Sequence, residues 1–404
     1  MKFKKKTFFL SLLLLSFNGN AKTDSCILDD FFMKSDNYRS VILDINNNEL
    51  EKTNNMYSLL PDVYITSGQS AYNNSGFKHP TYNSAALSIS QSIYSGGGYL
   101  KNKEKLNLNT EGYKRTISEN RLLYMLEVYS NILMIRNNEQ LIDFYKKRLI
   151  NQETEQGKLM TLFTQGDIPE VEMKLGLEDI RTYKDNILRL ELEKKNLELK
   201  IQEKYKIPLI LFKKITKNTL ISCKRESFLS LIQKENILNK KGVILDHEIE
   251  KSYYYPTVSL SFNLTPKKDG MLRDLSFSEG RYIASVNVNI PVSGLFKLTT
   301  INDKFKSSIE QLNYKIDLKL AELQQKKREL EFDVEVATQE LKNLKEKIKI
   351  RQNQLFYMKS NLITNDEMNY SYHNEKEKIQ HLENLMSIKE SEIEINKMHL
   401  YYID

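Results

Sequence analysis

The chain has 404 residues, of which 60 are Lys or Arg and 53 are Asp or Glu, with 2 Cys and no Trp. Hydrophobic residues make up 40% and charged residues 28%, and the mean hydropathy is −0.52. This composition excludes a collagen, a disulfide scaffold and a bundle of apolar membrane-spanning helices. The hydrophobic fraction is also low for several compact cores, so we expect long, well-solvated elements.

The first 21 residues are typical of an export signal. Four lysines within residues 2–6 precede an apolar run from Phe8 to Phe17, and Ala21 ends a small-x-Ala cleavage pattern. The run is too short for the ~20 residues that cross a bilayer, which disfavours an uncleaved anchor. Removing the four leader lysines lowers the formal net charge from +7 to +3, which is too close to neutral to indicate a nucleic-acid partner.

The residues after the leader bear on membrane attachment. Thr23, Asp24 and Ser25 precede Cys26, where a lipoprotein signal needs small apolar residues, so we expect an exported chain without a lipid anchor. No later window holds an uncharged apolar run of spanning length. Any membrane insertion of the mature chain would therefore use β-strands, because only helices and closed barrels satisfy their backbone in lipid.

Three landmarks recur at nearly one offset and predict an internal two-fold repeat. The first pair precedes segments in which apolar and polar residues alternate. The second pair follows these segments, and the third interrupts long helical patterns. The pairs are Pro61 and Pro256, 195 apart; Gly96 and Gly294, 198 apart; and Gly166 and Asn365, 199 apart. We therefore interpret the chain as two copies of one unit.

Alternating segments after Pro61 and Pro256 predict two β-hairpins. Their apolar positions are Val63, Ile65, Leu87, Ile89 and Ile93 in the first pair, and Val258, Leu260, Phe262, Leu264, Val286, Val288 and Ile290 in the second. Alternation over about ten residues fits a tilted transmembrane strand with apolar side chains towards lipid. Tyrosines near the strand ends (Tyr64, Tyr82, Tyr94 and residues 253–255) fit an interfacial girdle. Half of a soluble sandwich is the alternative.

Long helical patterns follow each strand pair. Residues 309–357 contain neither Pro nor Gly, and their apolar residues follow three-four spacing, as do those of residues 180–201. The segments 96–166 and 294–365 would each be ~105 Å long if continuously helical. The helix that follows each turn is too short to run alongside the whole length of these segments. Shorter helical patterns at 32–60 and 228–253 would cover the remaining length. We call the long helical part of the molecule the shaft. Residues 207–225 interrupt the helical pattern and predict an irregular segment near the middle of the shaft, which we call the belt.

The turns between the helical arms have related residues. Gly166 and Asn365 tolerate the left-handed conformation that ends a helix. Asp167 and Asp366 follow them as predicted N-caps, and Asp167 with Glu170 predicts a capping box. Pro169 then falls in the first helical turn, where proline is tolerated.

These features together resemble the TolC-like outer-membrane efflux proteins. The residues that carry the resemblance are Ser90 to Gly97, Ile290 to Gly294, Tyr255-Pro256 and Thr164-Gln165-Gly166-Asp167, and it covers nearly all of residues 30–404. It implies a mostly α fold with a β-barrel portion. Three chains would form a twelve-stranded outer-membrane β-barrel, continued by a twelve-helix periplasmic α-barrel of coiled-coil-like hairpins.

On this interpretation the chain divides into seven parts. They are a signal peptide (1–21), an N-terminal helical segment (22–60), a transmembrane β-hairpin (61–95), a long helical hairpin with its tip near 166 (96–206), an equatorial segment with a short helix (207–255), a second transmembrane β-hairpin (256–293) and a second long hairpin with its tip near 365 (294–404). The implied partners are two further copies of the chain, a periplasmic adaptor (membrane fusion) protein, an inner-membrane transporter and outer-membrane lipid.

The resemblance also implies functional positions. The periplasmic tip, where the adaptor docks, would comprise Thr164, Gln165, Gly166, Asp167, Thr364, Asn365 and Asp366. The barrel-to-shaft transition would comprise Ser95, Gly96, Gly97, Pro291, Ser293 and Gly294. Asn365 departs from the glycine usual in the second turn, and residues 368–374 lack the usual acidic pair. An acidic entrance would then be built from Asp366, Glu367 or Glu375.

No pattern in the sequence predicts catalysis, a cofactor or a metal site. The glycines at 96–98 lack the Lys-Ser/Thr of a nucleotide loop, and the five histidines show no metal spacing. We therefore expect a passive exit duct of a tripartite efflux or type I secretion system, located in the outer membrane and extending into the periplasm. The alternative is a non-pore periplasmic coiled-coil adaptor or structural spacer with a soluble β-domain.

The two cysteines leave one question open. Cys26 and Cys223 would meet an oxidising compartment, where pairing is permitted. They lie 197 apart and so hold equivalent places in the two repeats. In a ring of twelve helices spaced ~10 Å apart, such places are about one ring radius apart, whereas a disulfide needs Cα atoms within ~7 Å. A straying N-terminal segment could still close that distance.

Overall fold

The computed structural model describes residues 26–70, 82–212, 214–267, 275–292, 294–361 and 366–404. The predicted signal peptide (1–21) lies outside these ranges. The elements are α1 (Asp29–Phe32), α2 (Asp36–Tyr57), β1 (Asp62–Ser70), β2 (Tyr82–Ser95), α3 (Gly98–Gln165), α4 (Glu170–Glu203), α5 (Leu209–Phe212), α6 (Lys217–Cys223), α7 (Phe228–Ser252), β3 (Thr257–Thr265), β4 (Arg281–Asn289), α8 (Gly294–Asn361) and α9 (Asp366–Ile403).

Two 68-residue helices, α3 and α8, set the length of the molecule. At 1.5 Å per residue each is about 100 Å long. Nearer the sheet, α3 packs against α2 and α7, and α7 packs against α8. Nearer the tip, α3 packs against α4 and α9, and α9 packs against α8. The contacts therefore define a layer about four helices wide along the whole shaft.

Narrow apolar stripes hold the helical hairpins together, as the three-four spacing predicts. The buried residues of the stripes are Ile180, Ile187, Leu190 and Ile201 on α4, and Ile316, Leu330, Ala337 and Ile348 on α8. Charged residues occupy the other faces, and many of them form ion pairs between neighbouring helices, such as Lys146 with Glu191. Within the described ranges, no helix combines the length and apolar character needed to cross a bilayer.

The largest core is a belt around the middle of α3. Residues 26–35, α5, α6 and the end of α9 pack there against the buried α3 residues between Leu122 and Ile135. Leu28, Ile132 and Leu220 are fully buried, and burying such a side chain contributes about 1.5–3 kcal/mol. The Tyr402 hydroxyl donates to the Leu220 carbonyl at 2.8 Å, and burial raises the pKa of Tyr402 to about 12, so it remains a donor.

Cys26 and Cys223 form a disulfide in this belt, with their Cα atoms 5.0 Å apart. A ring of helices would place the two cysteines about one ring radius apart, and that expected distance is wrong for this pair. The physical reason is that the segment before α2 leaves the line of that helix and packs against α3, where Leu28 and Phe32 are buried in the belt core. Burial of these two apolar side chains brings Cys26 to the end of α6.

Candidate functional site

The four strands form one antiparallel sheet in the order β1-β2-β3-β4. Residues paired across neighbouring strands lie on the same face, so the register assigns every strand residue to a face. The row Val63, Ile89, Phe262 and Ala284 and the row Ile65, Leu87, Leu264 and Tyr282 lie on one face. The adjacent row, Asp62, Ser90, Ser261 and Ser285, lies on the other. The sheet is therefore amphipathic, with one mainly apolar face and one mainly polar face.

The apolar face is largely uncovered. On the two outer strands, Val63 is 58% exposed, Ile65 65%, Val286 67% and Val288 61%. An exposed apolar surface of this extent marks a place where a soluble protein meets a partner or a membrane. The predicted alternation of strand residues thus produces a mainly apolar face that extends across all four strands and is interrupted by Gln91.

The opposite face carries hydroxyl and amide groups. The Ser261 hydroxyl lies 2.7 Å from that of Ser285 and accepts a hydrogen bond from Asn287 Nδ2 at 3.0 Å. Ser88 and Asn263 are opposite one another in the next row. Tyr64 lies on this polar face because it pairs with Ser88, so its ring is not part of an apolar girdle.

A β-bulge interrupts β2 near its end. The pairing with β3 shifts register between Ser92 and Tyr94, so Ile93 has no counterpart in the register and Tyr94 pairs with Val258. Simple alternation predicts Ile93 as the apolar position, whereas the bulge brings Tyr94 into the apolar row. Tyr94 and Tyr282 therefore lie on the apolar face at opposite ends of the sheet.

The junction between strand and shaft depends on two glycines. Gly96 and Gly97 follow Ser95 with φ of 63° and 82°, the left-handed region that glycine adopts without steric cost. A Cβ atom on Gly96 would collide with the Ser252 carbonyl, so this turn lies directly against the end of α7. At the second junction Pro291 follows β4 and Gly294 begins α8, and Ser293 lies outside the described residues.

The first predicted tip is a tight turn between α3 and α4. Gly166 has φ of 84°, its N–H donates to the Phe163 carbonyl, and the Asp167 N–H donates to the Leu162 carbonyl, both at 3.0 Å. These bonds form a Schellman motif. The Thr164 hydroxyl donates to the Thr161 carbonyl at 2.7 Å, and Gln165 is the last residue of α3.

The predicted capping box at this tip is wrong. Helix α4 begins at Glu170, and its N-cap is Pro169, with φ of −76° and ψ of 154° and no side-chain cap. Proline disfavours helical geometry in the residue before it, so the helix cannot begin at Ile168, and Asp167 remains in the turn.

The second predicted tip falls mostly outside the described residues. Thr364 and Asn365 lie in the gap 362–365, and Asp366 and Glu367 are described only as the first residues of α9. Glu375 is ion-paired with Arg351 at 2.5 Å and with Lys378 at 2.8 Å. The Lys378 ammonium, together with Arg351, lowers the pKa of Glu375, so this carboxylate is charged and compensated.

A polar seam joins the two helical hairpins where α3 meets α9. Ser387 donates to Gln140 at 2.7 Å, Ser391 donates to Asn137 at 3.0 Å, and Tyr129 donates to Glu394. Nearer the tip, Glu377 binds Arg148 and Asn151, each at 2.7 Å. Sequence reasoning missed this seam because its members look like ordinary surface residues. Their signal is a polar residue recurring every three or four positions on both helices.

Comparison with solved structures identifies the fold. The chain matches a membrane protein from Pseudomonas aeruginosa (TM-score 0.66, 11% identity, 93% of this chain and 89% of that one) and the outer-membrane channel OprN (0.66, 11%, 93% and 88%). It also matches the open state of the MtrE outer membrane channel from Neisseria gonorrhoeae (0.65, 11%, 93% and 87%). No family model and no curated protein matches the sequence. The predicted TolC-like fold, mostly helical with a small sheet, is therefore confirmed.

Proposed function

We propose that this protein is one subunit of a homotrimeric outer-membrane channel that passively conducts substrates from the periplasm to the exterior. The observation that carries the proposal is the amphipathic sheet, which has Val286 and Leu260 on an uncovered, mainly apolar face and Ser261 and Ser285 on a polar one. A lipid-facing barrel wall needs the first surface, and a water-filled lumen needs the second. The likeness to outer-membrane channels supports the same conclusion.

Three copies of the sheet would close one twelve-stranded barrel. Strands β1 and β4 are the two edges of the sheet, and an open edge in lipid leaves backbone groups without partners at a cost of several kcal/mol each. Because the four strands alternate in direction, β4 of one copy can pair antiparallel with β1 of the next. Closure removes both edges and turns all the apolar rows outward.

The shaft offers matching surfaces for a trimer. Helix α8 flanks the layer on one side, and its exposed apolar residues include Leu318, Phe332, Val336, Ile350 and Phe356. Helices α2 and α4 flank the other side, with Leu43, Leu50 and Tyr57 on α2 and Val171, Leu188, Leu192 and Leu199 on α4. The residues of α2 recur every seven positions, as a coiled-coil seam requires. We infer that α8 of one copy packs against α2 and α4 of the next.

The order of elements supports the proposed internal duplication. Helix α2, strands β1 and β2 and helices α3 and α4 form one unit, and α7, β3, β4, α8 and α9 repeat it, with 68 residues in both α3 and α8. Three copies then give twelve helices abreast along the shaft. A ring of that number continues the barrel as a periplasmic tunnel.

The tip would meet the rest of the transport system. We propose that Thr164 to Asp167, together with Thr364, Asn365 and Asp366, forms the surface on which a periplasmic adaptor docks, and that an inner-membrane transporter supplies the energy. The ion pairs of Glu375 with Arg351 and Lys378 leave Asp366 and Glu367 as the stronger candidates for an acidic entrance. Neutralising both should reduce the cation selectivity of the channel.

Planar-bilayer recording of the purified protein tests the conduit. We expect discrete conductance steps from a trimeric species, with Val286→Arg abolishing insertion because Arg on a lipid-facing strand costs about 2–4 kcal/mol at mid-membrane. Asn287→Arg is the matched control, since the next residue of β4 lies on the polar face. It should still insert and alter ion selectivity. A monomer that is soluble without detergent and gives no channels would contradict the proposal and favour a periplasmic spacer.

A further inference from the structure

A cavity of about 400 Å³ opens between the two helical hairpins, between the belt and the tip. All four helices of the layer contribute to its wall: Phe144 and Arg148 from α3, Tyr183 from α4, Arg351 from α8 and Lys378 from α9. Its volume is within the usual range for a small-molecule site. Apart from Asn186 and Leu382, the residues on its wall are aromatic rings and cations.

The rings form one continuous aromatic wall. The centroid of His381 lies 5.5 Å from that of Phe144 in a stacked arrangement, Phe144 lies 5.3 Å from Tyr145, and Tyr145 lies 6.2 Å from Tyr183. Phe144 is only 4% exposed, so the surrounding packing holds it in place. A preformed wall of this kind favours a flat aromatic ligand, because stacked rings keep their contacts without reorganisation.

The cations give the cavity a positive charge. Arg148, Arg351 and Lys378 line it, and no carboxylate is among the lining residues. Glu375 pairs with both Arg351 and Lys378, and Glu377 pairs with Arg148. Three cations thus share two carboxylates, which leaves one uncompensated positive charge beside the rings. An anionic group is the complement of that charge.

We propose that this cavity binds a small planar aromatic carboxylate, with its ring against the partly exposed rings of Tyr145 and Tyr183 and its carboxylate towards Arg351 and Lys378. Rings alone would accept any apolar molecule, and cations alone any anion. Their combination selects a ligand that has both groups. Because the wall includes all four helices, the bound ligand would also connect the α3–α4 hairpin to the α8–α9 hairpin.

His381 makes this binding dependent on pH. Burial and the neighbouring Arg148 lower the pKa of His381, and Tyr145 of α3, Tyr183 of α4, Arg351 of α8 and Lys378 of α9 face the same cavity. Protonation adds a positive charge that a bound carboxylate stabilises. Affinity for the anion should therefore increase as the pH falls from 7 towards 5.

A fluorescence titration of the purified full-length protein with 2-naphthoate tests the site. We expect saturable binding at pH 7, stronger binding at pH 5.5, and at least a tenfold loss of affinity in Arg351→Gln/Lys378→Gln. The uncharged 2-naphthalenemethanol and the non-aromatic cyclohexanecarboxylate should each compete at least tenfold less well. Glu375 is only 13% exposed and loses both of its ion-pair partners in the double variant, which leaves a largely buried charge unpaired. The same double substitution with Glu375→Gln added removes that charge and should show the same loss of affinity.

Lys389→Gln is the matched control, because Lys389 also lies on α9 and is ion-paired with Glu340 of α8, but outside the cavity. It should bind 2-naphthoate as the unmodified protein does. Absence of saturable binding, an equal loss in Lys389→Gln, or equal competition by cyclohexanecarboxylate would each overturn the proposal. The titration measures binding directly, so its result is independent of whether the protein conducts ions.

Discussion

Arg121 lies inside the belt core and donates a hydrogen bond from Nε to Oδ1 of Asp29 at 2.5 Å. A second nitrogen of the same guanidinium donates to the Cys223 carbonyl at 2.8 Å, and Arg225 contacts the other oxygen of Asp29 at 2.8 Å. The Cys26–Cys223 disulfide joins the same two segments. A covalent bond and a charged network therefore hold the N-terminal segment against the belt.

The disulfide should contribute strongly to stability. Replacing both Cys26 and Cys223 by Ser opens a loop of 197 residues and should lower the free energy of unfolding by about 2–5 kcal/mol, since the bond restricts the unfolded chain. Thermal unfolding in detergent, with and without dithiothreitol, measures the effect. The reductant should destabilise the unmodified protein by as much as the double substitution does, and an equal effect of the reductant on the double variant would contradict this account.

Substitution of Asp29 should lower the stability of the protein far more than substitution of Arg225, the exposed arginine beside it. The side chains of Arg121 and Asp29 are only 9% and 16% exposed, so Asp29→Ala leaves a buried charge uncompensated and should cost about 3–5 kcal/mol. Arg225 is 66% exposed, and Arg225→Ala should cost under about 1 kcal/mol. Denaturant unfolding of the two variants gives the comparison. Asp29→Ala/Arg121→Met should be more stable than Asp29→Ala, and the reverse order would argue against this assignment.

The belt marks the limit of what the sequence predicts. The break in helical pattern after Ile207 indicates an irregular segment near the middle of the shaft, and α5 and α6 lie there. The pairing of Cys26 with Cys223 depends on where Leu28 and Phe32 are buried, which is a tertiary preference with no local signal. Periodicity constrains a helix or strand, but it does not position a short segment between elements.

The sheet and the shaft show the same limit: the sequence predicts their local periodicity but not the contacts between elements. The alternation of apolar and polar residues correctly assigns Val286 and Asn287 to opposite faces of the sheet, because a strand places successive side chains on opposite faces. It fails at Ile93, where the bulge that brings Tyr94 to the apolar face depends on the partner strand. The α3–α9 seam was also invisible, because Ser387 and Gln140 look like solvent-exposed residues until the two hairpins are placed side by side.

The two junction glycines should respond differently to alanine. Gly96→Ala places a Cβ against the Ser252 carbonyl and forces α7 away from the junction, so we expect a loss of several kcal/mol and poor assembly. Gly97 has the same left-handed geometry, but its Cβ would meet open space, so Gly97→Ala should cost only about 1–2 kcal/mol of backbone strain. Thermal unfolding and the yield of the proposed trimer give the comparison, and equal losses would mean that the contact with Ser252 is unimportant.

His381 should make the stability of the hairpin interface depend on pH. Its pKa lies below the ordinary value of 6.5 because burial against Phe144, and secondarily Arg148, disfavours the imidazolium. The unfolded chain therefore binds more protons, and the free energy of unfolding falls as the pH drops below about 6.5. His381→Gln removes this titration, so its stability should decrease less between pH 7 and pH 5 than that of the unmodified protein. Burial also lowers the pKa of His247 and His399, so the measurement is the difference between the two pH profiles from denaturant unfolding, without added aromatic anion. A steeper loss in the variant would mean that the imidazolium is stabilised in the folded state.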